Sequence, residues 1–158
     1  VADDHWINDP DTGGGRIVGE CCHFVDLLRY VAGSPIDSVS TGSMGDLKSR
    51  DAVSVIIKFL DGSIGTLHYF TNGDRRFPKE RLEVFCAGRI LQLDNFRSLR
   101  GYGWPGFSKM NLWRQDKGNA ACVAAFVDAV QHGKASPIPF DQLVEVTRVT
   151  FDIVEKLG

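Results

Sequence analysis

The stretch GGGRIVGECCHFVD, Gly13 to Asp26, gathers Arg, Glu, two Cys, His and Asp behind three glycines. On a helix, Arg16, Glu20, His23, Leu27 and Tyr30 fall at i, i+4, i+7, i+11 and i+14 and share one face. Glu20 and His23 are then i,i+3 neighbours, and Arg16 reaches Glu20 at i,i+4. A histidine held beside a carboxylate suits proton transfer to or from a hydroxyl. The N–H groups of a helix start favour a negative group, and the glycines before them let a ligand or another backbone approach closely. The same spacing fits a plainer reading, with Arg16 and Glu20 as a solvated ion pair and His23 as a satisfied, partly buried residue. Spacing alone leaves both open.

Other constellations are weaker. His5, Asp9, Cys21, Cys22 and His23 lie close in sequence, but adjacent cysteines point in different directions on a helix, so no metal site is expected. Gly101-Tyr102-Gly103-Trp104-Pro105-Gly106 matches G-x-G-x-x-G letter for letter. A dinucleotide loop must follow a strand and open a helix, and here Pro105 interrupts the motif and no helical period follows. Tyr69 to Arg81, YFTNGDRRFPKER, mixes aromatics with Arg75, Arg76, Lys79 and Arg81, and could hold a phosphate or carboxylate or simply be solvated. Asp116-Lys117-Gly118 reads as the boundary before a helix. His68 and His132 read as ordinary strand and helix-end residues.

The elements that would position these groups are legible. A helix from about Arg16 to Ala32 ends at Gly33, with Pro35 beyond. Its second face, Ile17, Cys21, Phe24, Leu28 and Val31, makes an apolar stripe. A weak strand over 36–44 precedes Asp51–Leu60, which is β-branched with Val53, Val55, Ile57 and Phe59 on one side. Asp61-Gly62-Ser63 joins it to Ile64–Phe70 as a hairpin. Arg81–Ala87 and Ile90–Leu93 are further strands across Gly88-Arg89, and Asp94–Lys117 has no clear period and reads as a long loop. Helices over 119–132 and 140–157 close the chain, the last with Leu143, Val146, Val149, Ile153 and Leu157 on one stripe. Before them, Val1 to Thr12 reads as irregular, with a turn at Asn8-Asp9-Pro10-Asp11.

A helix, then consecutive strands, then two helices is an α+β order, and predicts a mainly antiparallel open sheet with helices on one face. Ile56, Leu60, Leu67 and Tyr69 are expected on the other face, which then needs a partner domain or a second subunit. The 158 residues fit one domain with a real core, and 43% hydrophobic with 24% charged residues is ordinary for a soluble protein. A net charge of −2 gives no general pull toward nucleic acid or an anionic membrane. No apolar run is long enough to span a bilayer, and the first residues lack signal-peptide features. The four cysteines, two of them adjacent, read as reduced small hydrophobes in a cytoplasmic protein.

HWINDPDTGGGRIVGECCHFVDLLRYVAGSPI resembles the opening of the C-terminal domain in the Gfo/Idh/MocA family of NAD(P)-dependent sugar and cyclitol oxidoreductases. DGSIGTLHYFTNGDRRFPKERLEVF, LQLDNFRSL, QDKG and the final helix fit the same domain, so the likeness covers nearly the whole chain. It implies a single C-terminal domain over 1–158 that binds substrate and forms a homo-oligomer through its sheet face. The Rossmann domain for NAD or NADP would be missing from this chain, which alone would be inactive and bind no cofactor. The family commonly carries an Asp four residues before a His on this helix, both facing substrate hydroxyls. His23 matches that His, but the Asp position is Gly19, with Glu20 one step later. The resemblance thus implies catalytic roles for His23 and Glu20, and substrate contacts from Arg16, Tyr69, Arg75 and Lys79. Gly14 and Gly15 would lie in a loop closing over the cofactor–substrate cleft. The rival expectation is a non-catalytic module that assembles a complex through its open sheet face.

Overall fold

The computed structural model describes residues 12–44, 52–74 and 76–157. The expected turn at 8–11, together with His5, Asp9 and Arg75, lies outside them. The chain divides into two compact units, one built from Val1–Asn72 with Ile138–Gly158 and the other from Gly73–Pro137.

The first unit is a helix-on-sheet layer. Its leading helix begins as a π-helical turn, Ile17–Cys21, and continues as α1, Cys22–Ala32. A π turn takes up one residue more than an α turn, so every residue after it is displaced by about one position around the axis. The buried stripe therefore runs Ile17, Cys21, Val25, with Phe24, Leu28 and Ala32 packed beside it. Val31, expected in that stripe, is exposed. The helix stops at Gly33, whose φ of 67° is the left-handed cap conformation, and whose N–H donates to Arg29 O at 3.1 Å.

Strands β1 (Ile36–Ser43), β2 (Ala52–Phe59) and β3 (Ile64–Phe70) form an antiparallel sheet in that order. Val53 pairs with Tyr69 and Val55 with Leu67, so these odd-numbered residues share the inner face with Ile57 and Phe59. That corrects one expectation: Leu67 and Tyr69 are buried, and the outer face carries Ser54, Ile56, Thr66, His68 and Phe70 instead. Helix α3, Phe140–Leu157, closes the core with Val146, Val149, Ile153 and Leu157, whereas Leu143 is exposed. Gly65 lets α1 lie close, since a Cβ there would stand 3.2 Å from Leu28 Cδ1. A mostly buried ion pair ties α1 to α3: Arg29 Nε donates to Glu145 Oε2 at 3.0 Å, and Glu145 Oε1 accepts from the Ile36 N–H at 2.5 Å.

The second unit is a four-stranded antiparallel meander of β4 (Arg81–Cys86), β5 (Arg89–Asp94), β6 (Ser98–Tyr102) and β7 (Lys109–Asn111), followed by helix α2, Asn119–Gln131. Strands β6 and β7 fall in the stretch expected to be a loop. They are five and three residues long, and a glycine and mostly polar residues leave too little alternation to read. Pairing puts Leu82, Leu93, Leu99 and Met110 in one cross-strand row and Glu83, Gln92, Arg100 and Lys109 in the next. Between β5 and β6, Asn95 and Phe96 both take left-handed φ, 51° and 49°, in a three-residue hairpin connection that ends at Arg97. Gln115 Nε2 braces that turn by donating to Asn95 O at 2.9 Å and to Asn95 Oδ1 at 3.0 Å, while Lys117 bonds Glu80. Cys86 and Cys122 are exposed, and all four cysteines are free thiols.

Candidate functional site

The polar residues of the opening stretch gather where the π turn meets the inner face of β3. Gly14 and Gly15 precede the turn at φ of 65° and 83°, a conformation that L side chains rarely adopt. A Cβ on Gly15 would meet nothing within 4 Å, so backbone conformation, not lack of room, requires glycine there. Ile17 and Cys21 anchor the turn in the core, which leaves Arg16 and Glu20 at its edge.

Glu20 Oε2 accepts two hydrogen bonds, from Arg16 Nη2 at 3.2 Å and from the Tyr69 hydroxyl at 2.5 Å. The Arg16 guanidinium also lies over the Tyr69 ring, 5.9 Å from its centroid. The three side chains differ in access. Arg16 is 14% exposed and Glu20 39%, while Tyr69 as a residue is 9% exposed. Burial, and then the bond to Glu20, push the Tyr69 phenol well above its ordinary value, so it remains a protonated donor. Next to Glu20, burial pushes the Cys21 thiol up to about 12 and raises that of Cys22 as well, which keeps both unreactive.

The structure thus brings together Arg16, Glu20 and Tyr69 of the residues singled out in the sequence. His23 stands one turn further on, on α1, and is exposed; it makes no hydrogen bond with Glu20. The phase shift of the π turn accounts for this, because the i,i+3 neighbourhood of Glu20 and His23 presumed an uninterrupted α-helix. Lys79 is exposed and belongs to the second unit. In the basic stretch around it, Arg76 pairs with Asp74 at 2.8 Å and Arg81 with Glu83 at 2.5 Å. Each carboxylate partner holds its arginine further into the charged form. The bond from Tyr69 to Glu20 escaped the sequence reading, although the hairpin turn carried the signal. With Asp61-Gly62-Ser63 as the connection, odd residues of β2 face odd residues of β3, which puts Tyr69 with Val53 on the inner face.

The glycine loop at 101–106 is a packing device. A Cβ on Gly101 would fall 2.6 Å from Phe107 Cδ1, and Trp104 Nε1 donates to Ile90 O at 3.0 Å with Arg89 over its ring. No helix follows the loop, so among the described residues no strand–glycine–helix cradle fits a dinucleotide phosphate. No group of three or more His, Cys, Asp or Glu among those residues could hold a metal ion, and none of their helices is long and apolar enough to cross a membrane.

Comparison with known proteins places this geometry in context. The family model of the GFO/IDH/MocA C-terminal domain matches residues 1–92. Among solved structures, levoglucosan dehydrogenase in complex with NADH is 18% identical with a TM-score of 0.78, over 97% of this chain and 51% of that one. An oxidoreductase domain protein from Kribbella flavida is 22% identical with a TM-score of 0.76, over 99% and 52%. UDP-N-acetylglucosamine 3-dehydrogenase from Acidithiobacillus ferrooxidans is 16% identical with a TM-score of 0.73, over 89% and 46%. At these identities the likeness is one of fold, and this chain spans about half the length of the structures it matches. A search of curated proteins found no match.

Proposed function

The chain belongs to the GFO/IDH/MocA C-terminal domain family, and from that premise we propose that it is the substrate-binding half of an NAD(P)-dependent oxidoreductase acting on a hydroxyl of a sugar, nucleotide sugar or cyclitol. The observation that carries the reading is the edge of the π turn, where Glu20 is fixed by two donors and exposed enough to reach a ligand. His23 follows on the same helix segment, exposed and of a residue type that can accept or donate a hydrogen bond at a substrate hydroxyl. The names of the structural neighbours support a sugar-like substrate and a nicotinamide cofactor.

In this reading His23 binds the substrate hydroxyl and handles its proton while Glu20 supplies a fixed negative charge nearby. The nicotinamide would accept or supply the hydride. Of the described residues, the Gly14–Gly15 backbone would lie beside it. Homo-oligomerisation belongs to the outer face of the first sheet, where Ile56, Ile64 and Phe70 are exposed. A cytoplasmic setting is supported by the four free thiols.

The test is His23→Ala in the intact oxidoreductase. A fall of about 10²–10⁴ in kcat/KM is expected for acid–base work. A value within about twofold of the parent would remove His23 from the chemistry.

A further inference from the structure

Arg16 and Tyr69 both donate to Glu20, and both are mostly buried. A side chain that must touch a sugar needs an accessible polar end. The Tyr69 hydroxyl is engaged with Oε2 of Glu20, and its ring is sandwiched between the core and the Arg16 guanidinium. Glu20 is the member of the trio that combines charge with exposure.

We infer that Arg16 and Tyr69 are positioning residues: they fix the Glu20 carboxylate at the π turn and act on the substrate only through it. The inference rests on the role given to Glu20 above. Three observations carry the bracing of the carboxylate itself. Both donors converge on the same oxygen, Oε2, which restricts the rotamer of the Glu20 side chain. They come from different elements, Arg16 from the helix start and Tyr69 from β3, so the carboxylate is braced across the helix–sheet interface. The phenol is held firmly in its protonated form by burial, so it donates throughout the pH range in which such a protein works and offers no acid–base step of its own.

This assigns a purpose to the π turn. Five π-helical residues leave Ile17 and Cys21 in the core while presenting Glu20 to β3 at the level of Tyr69. The turn, the two donors and the carboxylate then form one preorganised unit, of the kind that supports a site from behind.

A double-mutant cycle in the intact oxidoreductase tests it, using Tyr69→Phe, Glu20→Gln and the pair, with kcat and KM measured separately. Tyr69→Phe is expected to lower kcat by about 10- to 100-fold with little change in the sugar KM. In the Glu20→Gln background the same change is expected to cost less than about twofold, because the donor has lost its task. Arg16→Lys, which keeps the charge and loses the fork, should give a smaller loss with the same non-additivity. It carries the test if Tyr69→Phe fails to fold. Equal cost of Tyr69→Phe in both backgrounds, or a rise confined to KM, would mean direct contact with substrate and overturn the inference. A harmless Tyr69→Phe beside a crippling Glu20→Gln would overturn it alone. If Glu20→Gln, His23→Ala and Tyr69→Phe are all harmless, the proposed function falls and this inference with it.

Discussion

The two units of the chain are built on opposite economies. In the first, Val53, Val55 and Ile57 are essentially inaccessible and two helices cover one face of the sheet. In the second, Ala129 alone is buried among the described residues, and order comes from hydrogen bonds and ion pairs around turns. Helix α2 illustrates the contrast, since Val123, Phe126, Val127 and Val130 are all exposed. A dry core can hold a polar cluster rigidly at its edge, which is where Arg16, Glu20 and Tyr69 sit. A unit stitched by surface contacts offers no such anchor.

The largest effect expected from this contrast is Ile57→Ala, at 0% exposure, which should cost ~2–5 kcal/mol by urea denaturation. Phe85→Ala on β4, at 71% exposure, should stay within about 0.5 kcal/mol. Comparable costs for the two would erase the distinction between the units.

Gly101→Ala probes a tightly packed spot of the second unit. Its Cβ would run into Phe107 and approach Trp104, so a loss of about 1–3 kcal/mol is expected. The change should move the fluorescence transition reported by Trp104 and leave the first unit's transition in place. If both transitions shift together, the units fold as one.

The smallest expected effect is a pH dependence confined to the first unit. Its buried Cys21 holds its proton up to about 12, against an ordinary 9.0 that an unfolded chain would show. Between these values the unfolded state binds fewer protons than the folded one, so stability falls as pH rises through that window. Tyr69 acts in the same direction. The shifted groups of the second unit, Asp74, Arg76 and Arg81, are exposed and should add little slope there. Alkaline denaturation midpoints of the chain and of Cys21→Val would show the slope shrink in the variant.

Much of the fold could be read from residue patterns because the first unit obeys simple periods. The β-branched run of β2, the Asp61-Gly62-Ser63 turn and the Gly33 stop each had one physical interpretation. The second unit was harder, since β6 and β7 are too short and polar to alternate visibly and their pairing depends on the braced turn at Asn95-Phe96. At the site, the residue types were legible and their grouping only in part. Arg16 and Glu20 pair as i,i+4 spacing predicts. The π turn, a register change without a composition signal, separates His23 from the carboxylate that spacing gave it. Tyr69 is the converse case: it was expected on the outer face, and the hairpin parity that pairs it with Val53 turns it inward.

The most direct measurement is a crystal structure of the intact protein with nicotinamide cofactor and a sugar substrate bound. The account predicts a sugar hydroxyl within about 2.6–3.2 Å of a His23 ring nitrogen, with Glu20 still held by Arg16 and Tyr69. A sugar seated away from the π turn, with His23 facing only solvent, would contradict it.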